Sequence, residues 1–183
     1  MILDTKIFDI LGVKLFSIKS YNDNRGVFSE VHLAKIDYPE FQIEYVQENE
    51  SISEYGVFRG MHFQKGNHSQ SKLIRVVKGK VIDVVCDLRK SSPSFKKNIF
   101  IKLIANQILF LPKGCAHGFL SLEEGTILNY KCDNYYNYNS ESGFNLFKSN
   151  VKVDFPLKKE EIIISKKDMS LPKLNNSYFY EDL

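Results

Sequence analysis

The 183 residues contain no tryptophan, three cysteines, five prolines and ten glycines. Each shortage excludes something. Cys86, Cys115 and Cys132 are odd in number and form no CxxC pair, which argues against a disulfide framework and a zinc knuckle and leads us to expect a reduced, cytoplasmic protein. So little glycine and proline, beside 43% hydrophobic residues, sets aside collagen-like, mucin-like and wholly disordered chains. No apolar run reaches the ~18–20 residues that cross a bilayer, so no membrane partner is expected. The opening MILDTKIFDILGVK sets acids within its apolar stretch, lacks a small-residue cleavage site, and does not read as a signal peptide. An excess of one charge is also missing. Twenty-five Lys and Arg against 22 Asp and Glu leave +3, too little and too evenly spread for a nucleic-acid partner, yet compatible with a local basic pocket for a phosphorylated small molecule.

What the chain does have is aromatic residues, 14 Phe and 10 Tyr, which favour pleated surfaces. Short apolar runs between turn signals predict strands over Gly12–Ser17, Val27–Val31, Glu44–Ser51, Val57–Gln64, Lys72–Val77, Lys80–Leu88, Ile99–Ile104, Ile108–Leu111, Gly118–Leu122, Thr126–Lys131 and Glu161–Ile164. Lys78-Gly79 reads as a hairpin turn. One short helix is expected around Leu33–Ile36, ending before Pro39. Many short strands without alternating long helices indicate an all-β jelly roll, a cupin-like β-sandwich, as one domain over residues 1–183. The polar tail from Lys166 onward is expected to wrap the surface. The N-terminal runs Lys6–Val13 and Lys14–Ile18 lack an obvious partner strand and are expected to pair across the boundary of a two-fold homodimer.

Charged residues within apolar runs are the second signal, because charges are rarely buried unless paired or ligand-bound. Arg59, Lys72, Arg75, Asp83 and Asp87 are of this kind. By period two, Asp83, Val85 and Asp87 share one face of their strand, either a solvated outer face or a polar lumen. Arg59 and His62 have opposite parity, and Gly60 between them permits a bulge that aims both at one pocket. Histidines at strand ends of a jelly roll raise the question of a metal cupin. His62 and His68 supply no H-x-H pair, however, and no metal ligands are assigned.

The stretches DNRGVFSE (Asp23–Glu30), VQENESISEYGVFRGMHFQ (Val46–Gln64), SKLIRVVKGKVIDVVCDLRKSSPSF (Ser71–Phe95), LPKGCAHGF (Leu111–Phe119), YKCDNYY (Tyr130–Tyr136) and ISKKDMSLP (Ile164–Pro172) together resemble the dTDP-4-dehydrorhamnose 3,5-epimerase family, in order and spacing, over nearly the whole chain. The resemblance implies a homodimeric epimerase with neither metal nor organic cofactor, acting on a nucleotide-diphosphate-sugar. It implies His62 as general base, Tyr130 as general acid, Asp168 as the carboxylate that orients His62, and Lys72 as a cation near the sugar carbonyl. Arg25, Glu30, Gln47, Asn49, Arg59, His117, Glu141 and Lys167 fall on ligand-contact positions, and Tyr136 on the position that stacks beside the nucleotide. The chain departs from the family pattern at Tyr138, Ser142 and Leu146, where Pro, Arg and Trp are usual.

These residue types suit the chemistry. A 4-keto sugar has acidic C–H bonds at C3 and C5, and inversion needs a base on one face and an acid on the other. Neutral histidine fits the base near pH 7, a carboxylate stabilises the imidazolium formed, and an ammonium stabilises enolate charge. Guanidinium forks at Arg25 and Arg59 match diphosphate oxygens. Two alternatives stand beside this reading: an epimerase of a GDP-linked 4-keto-6-deoxyheptose, acting at C3 alone or at C3 and C5, and a non-catalytic jelly-roll sugar-binding protein.

Overall fold

The computed structural model describes residues 2–32 and 38–181. Turn chemistry between β-branched and aromatic runs lays down β1 (Ile2–Ile7), β2 (Lys14–Ile18), β3 (Ser20–Asp23), β4 (Gly26–Ser29), α1 (Pro39–Gln42), β5 (Gln47–Ser53), β6 (Val57–Gln64), β7 (Lys72–Lys78), β8 (Lys80–Asp87), β9 (Asn98–Ile104), β10 (Gln107–Leu111), β11 (Cys115–Ser121), β12 (Thr126–Cys132), β13 (Glu141–Gly143), β14 (Ile163–Ile164) and α2 (Lys166–Ser170). Each predicted strand is present, with ends shifted by a few residues. β1, apart from Lys6 and Ile7, was not anticipated, nor were β3 and β13, whose SYND and ESG carry no apolar alternation. The Lys78-Gly79 turn holds Gly79 at φ 84°, the left-handed region that favours glycine. The helix expected around Leu33–Ile36 lies outside the described residues. The helix that is described begins at Pro39, whose fixed φ suits a first turn.

Two sheets stack into a jelly-roll sandwich. The first has the order β1-β2-β10-β7-β12-β5, and the second β13-β6-β11-β8-β9, with β14 parallel on β6. Between them pack Leu15, Ile74, Val76, Leu109 and Leu128 from the first sheet against Val81, Val85, Ile101, Leu103 and Phe119 from the second. The outer face of the second sheet is covered by the chain after β13, through Phe144, Leu146, Leu157, Leu174 and Tyr180. Phe41 packs on the outer face of the first, against Phe16, Leu73 and Phe110. This layering decides the parity question at β8. Val81 and Val85 face the interior and Val84 and Cys86 the outer layer, so Asp83 belongs to a polar lumen and is fully buried. Asp87, also fully buried, is held by Arg89, Ser92 and Ser94.

β1 pairs with β2, and β2 pairs with β10, all inside the chain; of the two N-terminal runs, Lys14–Ile18 is β2, whereas Lys6–Val13 gives only Lys6 and Ile7 to β1 and then leaves the sheet in a turn. The sequence did not disclose this, because the two strands of the second pair lie far apart along it. Among the described residues β1 is the edge strand of the first sheet, and its Leu3 and Ile7 are exposed. The tail does more than wrap the surface. It buries Asp168, Leu174 and Tyr180, and Tyr180 donates its hydroxyl proton to the Gln64 carbonyl of β6. Among the described residues no helix is long and apolar enough to cross a membrane.

Candidate active site

A regular strand would send Arg59 and His62 to opposite faces. Gly60 takes φ 129°, and the register of β6 against β11 shifts between the His117–His62 and Phe119–Arg59 pairs. Both side chains therefore border one cavity of about 540 Å³. A Cβ at residue 60 would lie 2.5 Å from Gly118 Cα, so only glycine fits this corner.

The remaining walls come from both sheets. Lys72 opens β7 and Tyr130 lies in β12 of the first sheet, while His62 and His117 belong to β6 and β11 of the second. β14 runs along β6 and delivers α2, which brings Asp168 and Lys167 to the same cavity. His62 and Tyr130 thus reach it from opposite sheets. Lys72 Nζ stands 5.3 Å from the centre of the Tyr130 ring. A neighbouring cavity of about 290 Å³ shares His62, Lys72 and Tyr130 and adds Gln47, Asn49, Tyr136 and Glu141. There the Tyr136 amide donates to Gln47 Oε1 at 2.8 Å, its hydroxyl donates to Glu141 Oε2 at 3.0 Å, and Lys167 Nζ donates to Glu141 Oε1 at 2.6 Å.

Two expected residues are not brought in. Arg25 sits in the β3–β4 hairpin turn, its side chain 86% exposed and paired with Asp23, and Glu30 follows β4. Neither borders the two cavities. Ser51, which borders the larger one, and Asp83, whose Oδ2 lies 2.8 Å from His117 Nε2, were not among the expected site residues. For Asp83 the signal was present as a charge within an apolar run. Ser51 gave none. The departures from the family pattern lie off the larger cavity: Tyr138 is exposed and Leu146 is buried under the second sheet.

His62 Nε2 and Asp168 Oδ1 are 2.7 Å apart. Asp168 Oδ2 accepts from the Gly60 amide at 3.1 Å, and the Ser165 hydroxyl caps the helix by accepting from the Asp168 amide. Burial alone would push the Asp168 carboxyl up, but the hydrogen bond and charge of His62, the Gly60 amide and Lys167 outweigh it and hold it below its ordinary value. An ionised carboxylate only accepts, so Nε2 of His62 carries its proton and Nδ1 is left as the basic nitrogen. Burial lowers Lys72, against the opposing charges of Cys132 and Asp83, and burial raises Tyr130 so that its phenol stays protonated. A carboxyl held below its unfolded value stabilises the fold above pH ~4, and that stability is lost as pH falls through the folded value. At neutral pH, Asp168→Asn is expected to cost about 1.5–3 kcal/mol, the range for hydrogen bonds to a charged group. The gap from wild type should close on acidification. Thermal melts from pH 7 down to pH 3 check this, and parallel curves for the two proteins would contradict it.

A sequence profile described as dTDP-4-dehydrorhamnose 3,5-epimerase matches residues 7–176. The chain is 36% identical over 173 residues to the dTDP-4-dehydrorhamnose 3,5-epimerase of Methanothermobacter thermautotrophicus, covering 92% of this chain and 93% of that one. Against the enzyme of the same name from Escherichia coli it is 36% identical over 179 residues, covering 93% and 92%. The crystal structure of a dTDP-6-deoxy-D-glucose-3,5-epimerase from Legionella pneumophila, in complex with dTDP-4-keto-L-rhamnose, superposes with a TM-score of 0.90 at 32% identity and covers 98% of each chain. Fold, cleft and relatives together define an isomerase of the carbohydrate-epimerase class, built on a cupin-like β-sandwich. Within that class, the chain belongs to the dTDP-4-dehydrorhamnose 3,5-epimerase family.

Proposed function

We propose that the protein inverts C3 and C5 of a dTDP-linked 4-keto-6-deoxy sugar through an enolate. The observation that carries this reading is the arrival of His62 and Tyr130 from opposite sheets at one cavity, with Lys72 beside the Tyr130 ring. In this reading Nδ1 of His62 removes the proton next to the carbonyl, and Asp168 stabilises the imidazolium that forms. Lys72 faces the carbonyl oxygen, where negative charge develops in a partly dry site. Tyr130 then delivers a proton to the opposite face. Gln47, Asn49, Tyr136, Glu141 and Lys167 hold the nucleotide end, Tyr136 by stacking, while Arg59 and His117 contact the substrate within the larger cavity. The names of the relatives favour dTDP over a GDP-linked heptose, and the four residues that would carry the chemistry favour an enzyme over a binding protein. Incubation of dTDP-4-keto-6-deoxy-D-glucose with the protein in D₂O, followed by NMR, tests this. Deuterium at C3 and C5 of an inverted product is expected. An unchanged sugar, or turnover of the GDP-linked sugar alone, would overturn it.

The same reading includes a homodimer in a reducing cytoplasm, where Cys86, Cys115 and Cys132 stay free. It takes residues 1–183 as one domain. Arg25 lies outside the cavities of its own chain on an exposed hairpin with Val27 and Phe28, so it would serve the diphosphate in the partner's cleft. Arg25→Ala and His62→Ala, each poorly active alone, should complement when mixed after dissociation, because one cleft of each mixed dimer then has both residues. No recovery on mixing, or a monomer in sedimentation, would contradict the shared site.

A further inference from the structure

The carboxylate behind His62 rides on a helix too short to hold itself in place. α2 has five residues, fewer than an isolated helix needs to persist, and the carbonyls at its C-terminal end look outside the helix for donors. At its N-terminal end the Ser165 hydroxyl accepts from the Asp168 amide. At the other end stands Asn145, 4% exposed, 23 residues earlier in the chain and just past β13. Asn145 Nδ2 donates to the Asp168 and Met169 carbonyls, at 3.2 Å each, and the Asn145 amide donates to the Pro172 carbonyl at 2.8 Å. Met169 O also accepts from Lys148 Nζ and Asp168 O from the Leu171 amide, so Asn145 is the side chain that grips both carbonyls among the described residues. The Lys148 amide donates to Asn145 Oδ1 at 3.0 Å, which fixes the orientation of the side chain and leaves Nδ2 for the helix. That bond caps the short turn Leu146–Lys148, a role that serine, threonine or aspartate fills equally well. The donor end is what asparagine adds. The same segment holds the base. Gly143 stands opposite His62 in the pairing of β13 with β6, and Phe144 exchanges two backbone hydrogen bonds with Met61, at 3.1 and 3.2 Å. Three consecutive residues, Gly143 to Asn145, thus join the strand of His62 to the helix of Asp168.

We propose that Asn145 is a positioning residue for the His62–Asp168 pair, whose side-chain amide seats α2 against β6 so that Asp168 meets Nε2 of His62 and leaves Nδ1 as the basic nitrogen. Asn145 borders neither of the two cavities and acts through Asp168. The use made of Nδ1 rests on the epimerase reading above. The setting of the His62 tautomer does not.

Asn145→Ser tests the proposal, because serine keeps the cap of the turn and the backbone bonds but is too short to reach α2. Turnover is expected to fall by about 10²-fold, the loss that follows from roughly an ångström of misplacement in catalytic groups, while affinity for dTDP stays at the wild-type value. A second readout needs no substrate. The ¹⁵N shifts of the neutral His62 ring, assigned with His62→Ala, should show the proton on Nε2 in wild type, with the two nitrogens far apart. In Asn145→Ser they should draw together, because both tautomers are then populated. Ser149→Ala is the control. It removes the bond from the Ser149 hydroxyl to the Asn145 carbonyl, 2.7 Å, and the one that hydroxyl accepts from the Leu174 amide, 2.9 Å, and spares Asn145 Nδ2. It should lower the melting temperature and leave turnover and the ¹⁵N shifts unchanged. Wild-type ¹⁵N shifts in Asn145→Ser would overturn the proposal. So would the same loss of turnover in Ser149→Ala at an equal drop in melting temperature, which marks a structural role. Where serine leaves the chain unfolded, Asn145→Thr takes its place, and failure of both to fold would likewise overturn the proposal. If wild type leaves the sugar unchanged, the epimerase reading fails, and the ¹⁵N shifts still decide the role of Asn145.

Discussion

His62→Ala is expected to lower turnover by about 10²–10⁴-fold, the usual loss when a general base is removed, with the fold and dTDP binding kept. The effect should be this large because no other group stands ready to replace the imidazole. His117, the other histidine bordering the larger cavity, has its Nε2 engaged by Asp83. Asp168, held ionised, would be a weak base at neutral pH. The fold should survive because the His62 side chain is 34% exposed and packs in no core cluster. In the proposed reading Gln47, Asn49, Tyr136 and Glu141 of the adjoining cavity hold the nucleotide, so dTDP binding should not need the His62 ring. Steady-state turnover beside dTDP titration and a thermal melt separates the terms. Near-normal turnover would remove His62 from the chemistry, and a collapsed melt would move it to the scaffold.

Much of this site was legible in the sequence, in uneven ways. The strand over Val57–Gln64 could be read to the residue, and Gly60 within it marked the bulge that joins Arg59 to His62. Parity along β8 put Asp83, Val85 and Asp87 on one face but could not say whether that face looked inward. Only the stacking of the second sheet on the first decides that. Asp168 is 106 residues from His62, on a five-residue helix too short to show periodicity. It was found only because ISKKDMSLP resembles a family stretch. No local pattern revealed β10 as the partner of β2, since long-range pairing is chosen by complementary faces and not by the run itself. Arg25 matched a ligand-contact position in a hairpin that projects from its own sandwich, a placement that one chain's sequence does not display.

Tyr130→Phe is expected to separate two events that wild type performs together. The substitution keeps the ring under Lys72 Nζ and its packing against the interior core, and removes the one proton the side chain can give. His62, Asp168 and Lys72 stay in place, so abstraction and enolate formation should continue. Inversion should fall by about 10²–10⁴-fold, because the proton donor on the opposite wall is gone. A protonated His62 that has exchanged with solvent can return its deuteron only to the face it came from. The decisive measurement is the ratio of deuterium exchange to inversion at C3 and C5, followed by NMR in D₂O for Tyr130→Phe beside wild type. Exchange that persists with retained configuration while inverted product nearly disappears is the result expected of a base and an acid on opposite sheets. Equal loss of exchange and inversion, or full inversion by the variant, would contradict it.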